Sequence, residues 1–297
     1  MKLLKSWLVA LVFACVSAAS ALGQTSQDDT KPKPQTPPPP SLEKKFLANV
    51  LSDQRAIWTA PFSLRRGDAK WLAPLGVATV IFVATDRHTS GELFEGGNHR
   101  TRINISKDFS RLGSRYATGG AAAAFYFVGR VKHDARARET GLLGAEALID
   151  SAVVVAALKA ASQRQRPPVD HASGEFFDGG SSFPSGHAIT AWSLATVVAH
   201  EYGQHRPLVR FGAYGIATAI SLSRYTGSNH FLSDVLVGSA LGYGIGRYVY
   251  YRHHDRSLDV DSGKKKKRIT QSKLFPRISP SYNRRGHAYG ATLAWNL

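Results

Sequence analysis

The chain has one cysteine, Cys15, and one methionine, Met1. A single thiol closes no internal disulfide and builds no cysteine-ligated metal cluster. Both residues fall in the first 23 positions, which read as an export signal. Lys2 and Lys5 form a positive start, WLVALVFACV is a short apolar run, and ASA at 19–21 or ALG at 21–23 offers a small-residue cleavage site. A permanent anchor calls for a longer run, and lipid attachment at Cys15 suits VFAC only loosely. Without its signal the chain has no thiol nucleophile, and it suits an oxidising compartment.

Acidic residues are scarce: 21 Asp and Glu stand against 38 Lys and Arg, a net charge of +17. Such a balance attracts anionic partners, either nucleic acid or lipid. Export argues against nucleic acid and leaves an anionic membrane surface. The run KKKKR at 264–268 suits lipid headgroups at about 1 kcal/mol per well-placed cation; the plainer reading is a solvated run.

Long apolar segments are absent as well. The charge-free stretches lie between Lys70 and Asp86, Arg115 and Arg130, Asp150 and Lys159, His187 and His200, Arg210 and Arg224, and Asp234 and Arg247. The first has 15 residues and the rest are shorter. A helix that long covers about 22 Å of a hydrocarbon layer about 30 Å thick. By length these are helices of a bundle, although charged flanks can extend them. No cluster of carboxylates marks a magnesium or two-zinc site, so neither metal nor cofactor is expected.

Residues 24–41, QTSQDDTKPKPQTPPPPS, are proline-rich and nearly free of large apolar side chains, the composition of a disordered linker. Residues 42–69 read as an amphipathic helix and a loop. Residues 87–114 are long and polar, a connector or a cover over a site. In HAYGATLAWNL, Tyr289, Ala291, Leu293, Trp295 and Leu297 alternate on one side, and NRRG before them suits a turn, so the tail reads as a β-hairpin. The expected organisation is a signal at 1–23, a linker at 24–41, a helical domain at 42–252 and a basic tail with a hairpin at 253–297. The fold class is all-α, with about six core helices.

Three clusters carry chemistry. In KAASQRQRPP, Lys159 and Arg166 are seven residues apart, two helical turns, and so share a face; Pro167 biases Arg166 out of the helix. In FPSGHAITAW, Pro184 fits a helix start, Gly186 allows close approach of a ligand, and the first amides attract anions. His187 in that first turn can give a proton to a leaving oxygen. In SRYTGSNHFLSD, Asn229 can cap a helix beginning near His230. His230 and Asp234 are then i and i+4, and the carboxylate can take the Nδ1 proton and leave Nε2 as a lone pair. Each cluster alone has a bland reading as a basic helix end, a capping residue or a surface pair. SRYATGG at 114–120 repeats Ser-Arg-Tyr without the later histidine and aspartate, so the tripeptide is cheap and the whole pattern is not.

Taken together, Lys-x6-Arg-Pro, Pro-Ser-Gly-His and Ser-Arg-x5-His-x3-Asp follow one another across residues 159–234. This order resembles the type 2 phosphatidic acid phosphatase superfamily, which includes bacterial acid phosphatases and vanadium haloperoxidases. The resemblance implies a helical bundle and a metal-independent phosphatase. In that pattern His230 attacks phosphorus, Asp234 orients it, and His187 protonates the leaving alcohol. Lys159, Arg166, Ser185, Gly186 and Arg224 bind the phosphate oxygens. His187 is expected to start protonated and His230 neutral. The implied partner is a phosphate ester, lipid or soluble, and the implied location is periplasmic and membrane-associated, with integral helices an open alternative. A vanadate-dependent haloperoxidase and a non-catalytic lipid-binding envelope module are the competing readings. Oligomeric state is left open.

Overall fold

The computed structural model describes residues 42–95, 99–167, 174–204, 206–259, 277–283 and 288–294. The expected export signal, the linker and the lysine run lie outside these residues. The α-helices are α1 (Leu42–Thr59), α2 (Ala69–Glu95), α3 (His99–Leu112), α4 (Arg115–Val131), α5 (Ala135–Ser162), α6 (Gly186–Gly203), α7 (Pro207–Thr226) and α8 (Leu232–His253). The two short 3₁₀ turns at Ala60–Ser63 and Arg66–Asp68 connect α1 to α2.

All six charge-free stretches fall on helices: one each on α2, α4, α5, α6, α7 and α8. Local signals set several boundaries. Ser114 Oγ accepts from the Ala117 amide at 3.2 Å to open α4, and Asp134 Oδ1 accepts from the Ala137 amide at 3.0 Å to open α5. Each cap satisfies one of the amides that a helix start leaves without an internal partner.

Two expectations change. Residues 87–114 are helical over most of their length, as the end of α2 and the whole of α3. Their polarity reflects amphipathic α3, whose buried Ser106 and Ser110 face polar groups of α7 rather than water. Helix length also exceeds the charge-free count. α2 and α5 are both long and apolar enough to cross a membrane, because helical structure continues through the flanking charges. They differ in burial: no residue in the apolar window of α2 is buried, whereas 44% of that of α5 lies inside the bundle.

Helix α6 is the centre of the bundle and packs against α5, α7 and α8. Leu143 and Ala147 of α5, Ile189 and Val197 of α6, and Ile245 and Val249 of α8 form its main apolar cluster. Each such large side chain stabilises by about 1.5–3 kcal/mol on burial. Helices α6 and α8 run parallel. Gly238, Gly242 and Gly246 recur every four residues and face the carbonyls of Ser185, Ile189 and Ser193. A Cβ at these three positions would come within 2.7, 2.3 and 2.4 Å of those oxygens, so the close approach needs glycine. The matched register brings the N-termini of α6 and α8 to one end of the bundle, where the Ser185 amide donates to the Asp234 carbonyl at 3.0 Å.

The described chain divides into two units, one ending at His254 and one beginning at Asp255. In the second, β1 (Arg277–Asn283) and β2 (Ala288–Ala294) pair antiparallel, with Arg277 opposite Ala294 and Asn283 opposite Ala288.

Candidate active site

His230 and Asp234 are almost fully buried, at 2% and 0% exposure. The sequence reading set them one turn apart on a helix, but α8 begins only at Leu232. Asn229 does not cap it: its side-chain amide donates to the Gly227 carbonyl at 2.8 Å. The cap is Asp234 itself, whose Oδ2 accepts from the Phe231 amide at 3.0 Å. His230 therefore stands just before the helix and bends back, with Nδ1 3.4 Å from Asp234 Oδ2. With the proton on Nδ1 donated to that carboxylate, Nε2 carries the lone pair.

Asp234 is held from further sides. Ser182 Oγ donates to Oδ2, and Arg164 Nη1 donates to Oδ1 at 2.8 Å. Burial alone would raise its pKa, but the hydrogen bond of His230, the charge of Arg164 and the Ser182 hydroxyl outweigh burial and hold it below the usual carboxylate range. Asp234 is thus a fixed anion.

Arg164 belongs to none of the three motifs. Its Nη2 donates to Asp86 Oδ2 of α2 at 2.9 Å, its Nη1 donates to Ser233 Oγ, and its Nε donates to the Gly174 carbonyl at 3.1 Å. The guanidinium lies 4.7 Å from the ring centre of Phe176 and 4.3 Å from that of Phe231. Asp86, Ser182 and Ser110 are also absent from the sequence reading. The first arginine in QRQRPP and the extra serines before FPSGH were the only signals available. Neither spacing nor composition ties them to the site, because Ser182–Asp234, Arg164–Asp234, Arg164–Asp86 and Arg224–Ser110 are 52, 70, 78 and 114 residues apart.

The cations arrive differently. Helix α5 ends at Ser162, with Gln163 in the left-handed region at φ 44°, so Lys159 and Arg166 do not share a helical face. The chain turns, and Arg166 returns through the loop. Its Nη1 and Nη2 make only long contacts, to the Asn229 and Ser181 carbonyls at 3.4 and 3.5 Å. Lys159 Nζ donates to the Ser181 carbonyl. Arg224, near the end of α7, donates through Nη1 to Ser110 Oγ. Its Nε and the Ser185 hydroxyl are buried and meet no hydrogen-bond partner among the described residues. Gly186 opens α6, so its amide belongs to the first turn, which has no internal acceptor.

These groups feel one another. Lys159 is lowered to about 8 by burial and then by Arg166 and Arg224, against a weaker pull from Asp234. Arg224 is lowered to about 10 by burial and Arg166. His230 is lowered to about 4 by burial first, with Arg166 and Arg224 adding and Asp234 opposing. His187 is lowered to about 4 by burial and by Arg224, His230, Arg166 and Lys159. Both imidazoles are therefore neutral at neutral pH. For His187 this is the state of the free site, set first by burial and then by the surrounding cations, and it differs from the protonated form expected at the start of the reaction. All three cations and both histidines contribute to one field, which an anion of tetrahedral phosphate type would neutralise.

Residues 140–258 match the family described as the PAP2 superfamily. A curated relative, the lipid A 1-phosphatase of Porphyromonas gingivalis, is 38% identical over 71 residues, 24% of this chain and 16% of the relative. The chain thus spans under one-fifth of that relative's length. Two solved structures resemble the chain at 22% identity. They are Aquifex aeolicus LpxE, with TM-score 0.45 over 55% of this chain and 93% of its own, and a transmembrane PAP2-type phosphatidylglycerolphosphate phosphatase from Bacillus subtilis, with TM-score 0.46 over 66% and 98%. The segment that matches the PAP2 superfamily is the one that carries all three motifs, residues 159–234.

Proposed function

We propose that the chain is a phosphoric monoester hydrolase that works through a phosphohistidine. The observation that carries this reading is His230: a buried neutral imidazole whose Nδ1 faces a fixed carboxylate, beside three cations. Nε2 attacks phosphorus while the ester P–O bond breaks. His187 gives its proton to the departing alkoxide. Water then attacks phosphorus, the P–N bond breaks, His187 takes the proton from water, and inorganic phosphate leaves. Lys159, Arg166, Arg224, Ser185 and the Gly186 amide hold the non-reacting oxygens as charge moves across them.

His187 must be protonated for the first step. The bound phosphate supplies that condition, because its negative charge offsets the burial and the cations that keep His187 neutral in the free site. Substrate binding thus arms the acid.

The substrate class we favour is a lipid phosphate, at a membrane on the periplasmic side. Two observations support it. The apolar surface of α2 is exposed, including Trp71, Val77, Val80 and Ile81, and such a surface is stabilised against lipid. The curated relative is named for a lipid substrate. The test is rapid quench of a ³²P-labelled lipid phosphate in mixed micelles, with a soluble ester in parallel. The chain should acquire label that survives alkali and is lost in acid. His230→Ala should carry no label and release no phosphate. A labelled, active His230→Ala would overturn the mechanism, and turnover of only the soluble ester would overturn the substrate class.

A further inference from the structure

A second group of buried ionisable side chains lies far from the phosphate-binding residues. Asp53 comes from α1, Glu146 and Asp150 from α5, and His253 from the end of α8. His253 is 19 residues beyond Asp234 on the same helix, which is about 28 Å along its axis. The sequence shows no acidic cluster because these residues are scattered over 201 positions; folding gathers them.

One ligand atom each from Asp53, Glu146 and His253 lies within 4.8 Å of the others. Asp53, Glu146 and Asp150 are at most 1% exposed. His253 Nε2 is 2.9 Å from both Asp53 carboxylate oxygens. The Asn49 amide donates to Glu146 Oε1 at 2.9 Å, and the Gln54 amide donates to Asp150 Oδ1 at 2.8 Å. These contacts leave Glu146 Oε2 and Asp150 Oδ2, both buried, without a hydrogen-bond donor among the described residues. Three carboxylates thus face one imidazole in a water-poor interior. Buried anionic oxygens in that state are costly unless a cation or a proton meets them.

We propose that Asp53, Glu146 and His253, with Asp150 beside them, bind one divalent transition-metal ion that ties α1 to α5 and α8. The mixed set of carboxylate oxygens and one imidazole suits Mn²⁺ or Zn²⁺ better than a purely hard cation. Asn49 and Gln54 fix the carboxylates from outside, as outer partners of metal ligands do. On binding, His253 presents its Nε2 lone pair to the ion. The ion's role is structural, because the site is remote from the reacting atoms.

A neighbouring triad supplies an internal control. His254 Nδ1 sits 3.0 Å from Glu139 and 3.3 Å from Glu201. There a protonated imidazole already answers two carboxylates.

The experiment uses the purified full chain, stripped with chelator and returned to metal-free buffer. Mn²⁺ and Zn²⁺ are titrated separately by equilibrium dialysis, and thermal unfolding is followed with and without each ion. The expected result is saturable uptake of a single ion per chain and a higher Tm. Glu146→Gln and Asp53→Asn should weaken binding by about tenfold or more, and Glu201→Gln should leave it unchanged. No saturable uptake of either ion by the folded wild-type chain overturns the proposal, whatever the variants do. So does undiminished affinity in both Glu146→Gln and Asp53→Asn.

Discussion

Arg164 reaches Asp234 with Nη1 at 2.8 Å, inside a layer where both side chains are at most 2% exposed. The same guanidinium holds Asp86 of α2 at 2.9 Å. One buried cation therefore links an outer helix to the carboxylate that orients His230. A pair of this kind adds little net stability against an apolar replacement of the same shape, but losing one partner strands the other charge.

Replacing Arg164 by methionine should thus destabilise the fold by about 3–5 kcal/mol, read as a lower denaturant midpoint. Asp86→Asn should cost less, because Asp234 still neutralises the arginine. In Asp86→Asn, kcat should fall more than KM changes, since phosphate-binding groups are untouched while the support of Asp234 is loosened. An unchanged kcat would make the Asp86 contact purely structural.

Asp234→Asn removes the fixed anion and retains the shape. The expected loss in kcat is about 10²–10⁴-fold with KM little altered, because tautomer and orientation fail while the cations remain. Steady-state kinetics on a lipid phosphate and a soluble ester measure it.

The pH profile follows from the depressed groups. Lys159 is protonated below about 8 and neutral above it, so anion capture weakens as pH rises through that value. kcat/KM should fall on the alkaline side, and Lys159→Arg should move this limb to higher pH. His230 takes a proton only near 4, so mild acid should leave the nucleophile available. In the complex the phosphate raises both Lys159 and His187, and the alkaline limb of kcat should lie above that of kcat/KM.

The three cations repel one another until an anion arrives. Lys159→Met should therefore unfold no earlier than wild type in phosphate-free buffer while losing turnover. Orthophosphate or vanadate should raise the Tm of the wild type more than that of the variant. A lower Tm for Lys159→Met in phosphate-free buffer would count against mutual repulsion in the pocket.

At Gly242 an added Cβ would sit 2.3 Å from the Ile189 carbonyl oxygen. Gly242→Ala should push α6 from α8 and destabilise the chain by about 1–3 kcal/mol. It should also reduce kcat, since the two histidines ride on the starts of those helices. Gly244, with open space around its position, is the matched control, and Gly244→Ala should be nearly neutral.

Much of this was legible in the chain before folding. The charge-free stretches named six helices because a bundle interior tolerates few charges, and the three motifs named cations and histidines that the helix ends bring into one electrostatic field. Residues 87–114 read as a loop in the sequence because the charges of α3 mask its thin apolar stripe and part of its buried face is serine. Arg164, Asp86 and Ser182 were invisible because a lone charged residue carries no pattern; only its partner across the bundle gives it meaning. The neutral state of His187 was likewise hidden, since it depends on the summed field of groups from several elements.

The linear order of residues determined which side chains exist at helix ends and which helices can form, through local periodicity, capping and charge. Tertiary structure alone decided how those ends meet, because the parallel register of α6 and α8 depends on backbone contact between glycines and carbonyls some fifty residues apart. It also decided which charges lose water. Burial changes the cost of a charge far more than any neighbour in sequence does, so one histidine is held neutral beside three cations and another stands against buried carboxylates.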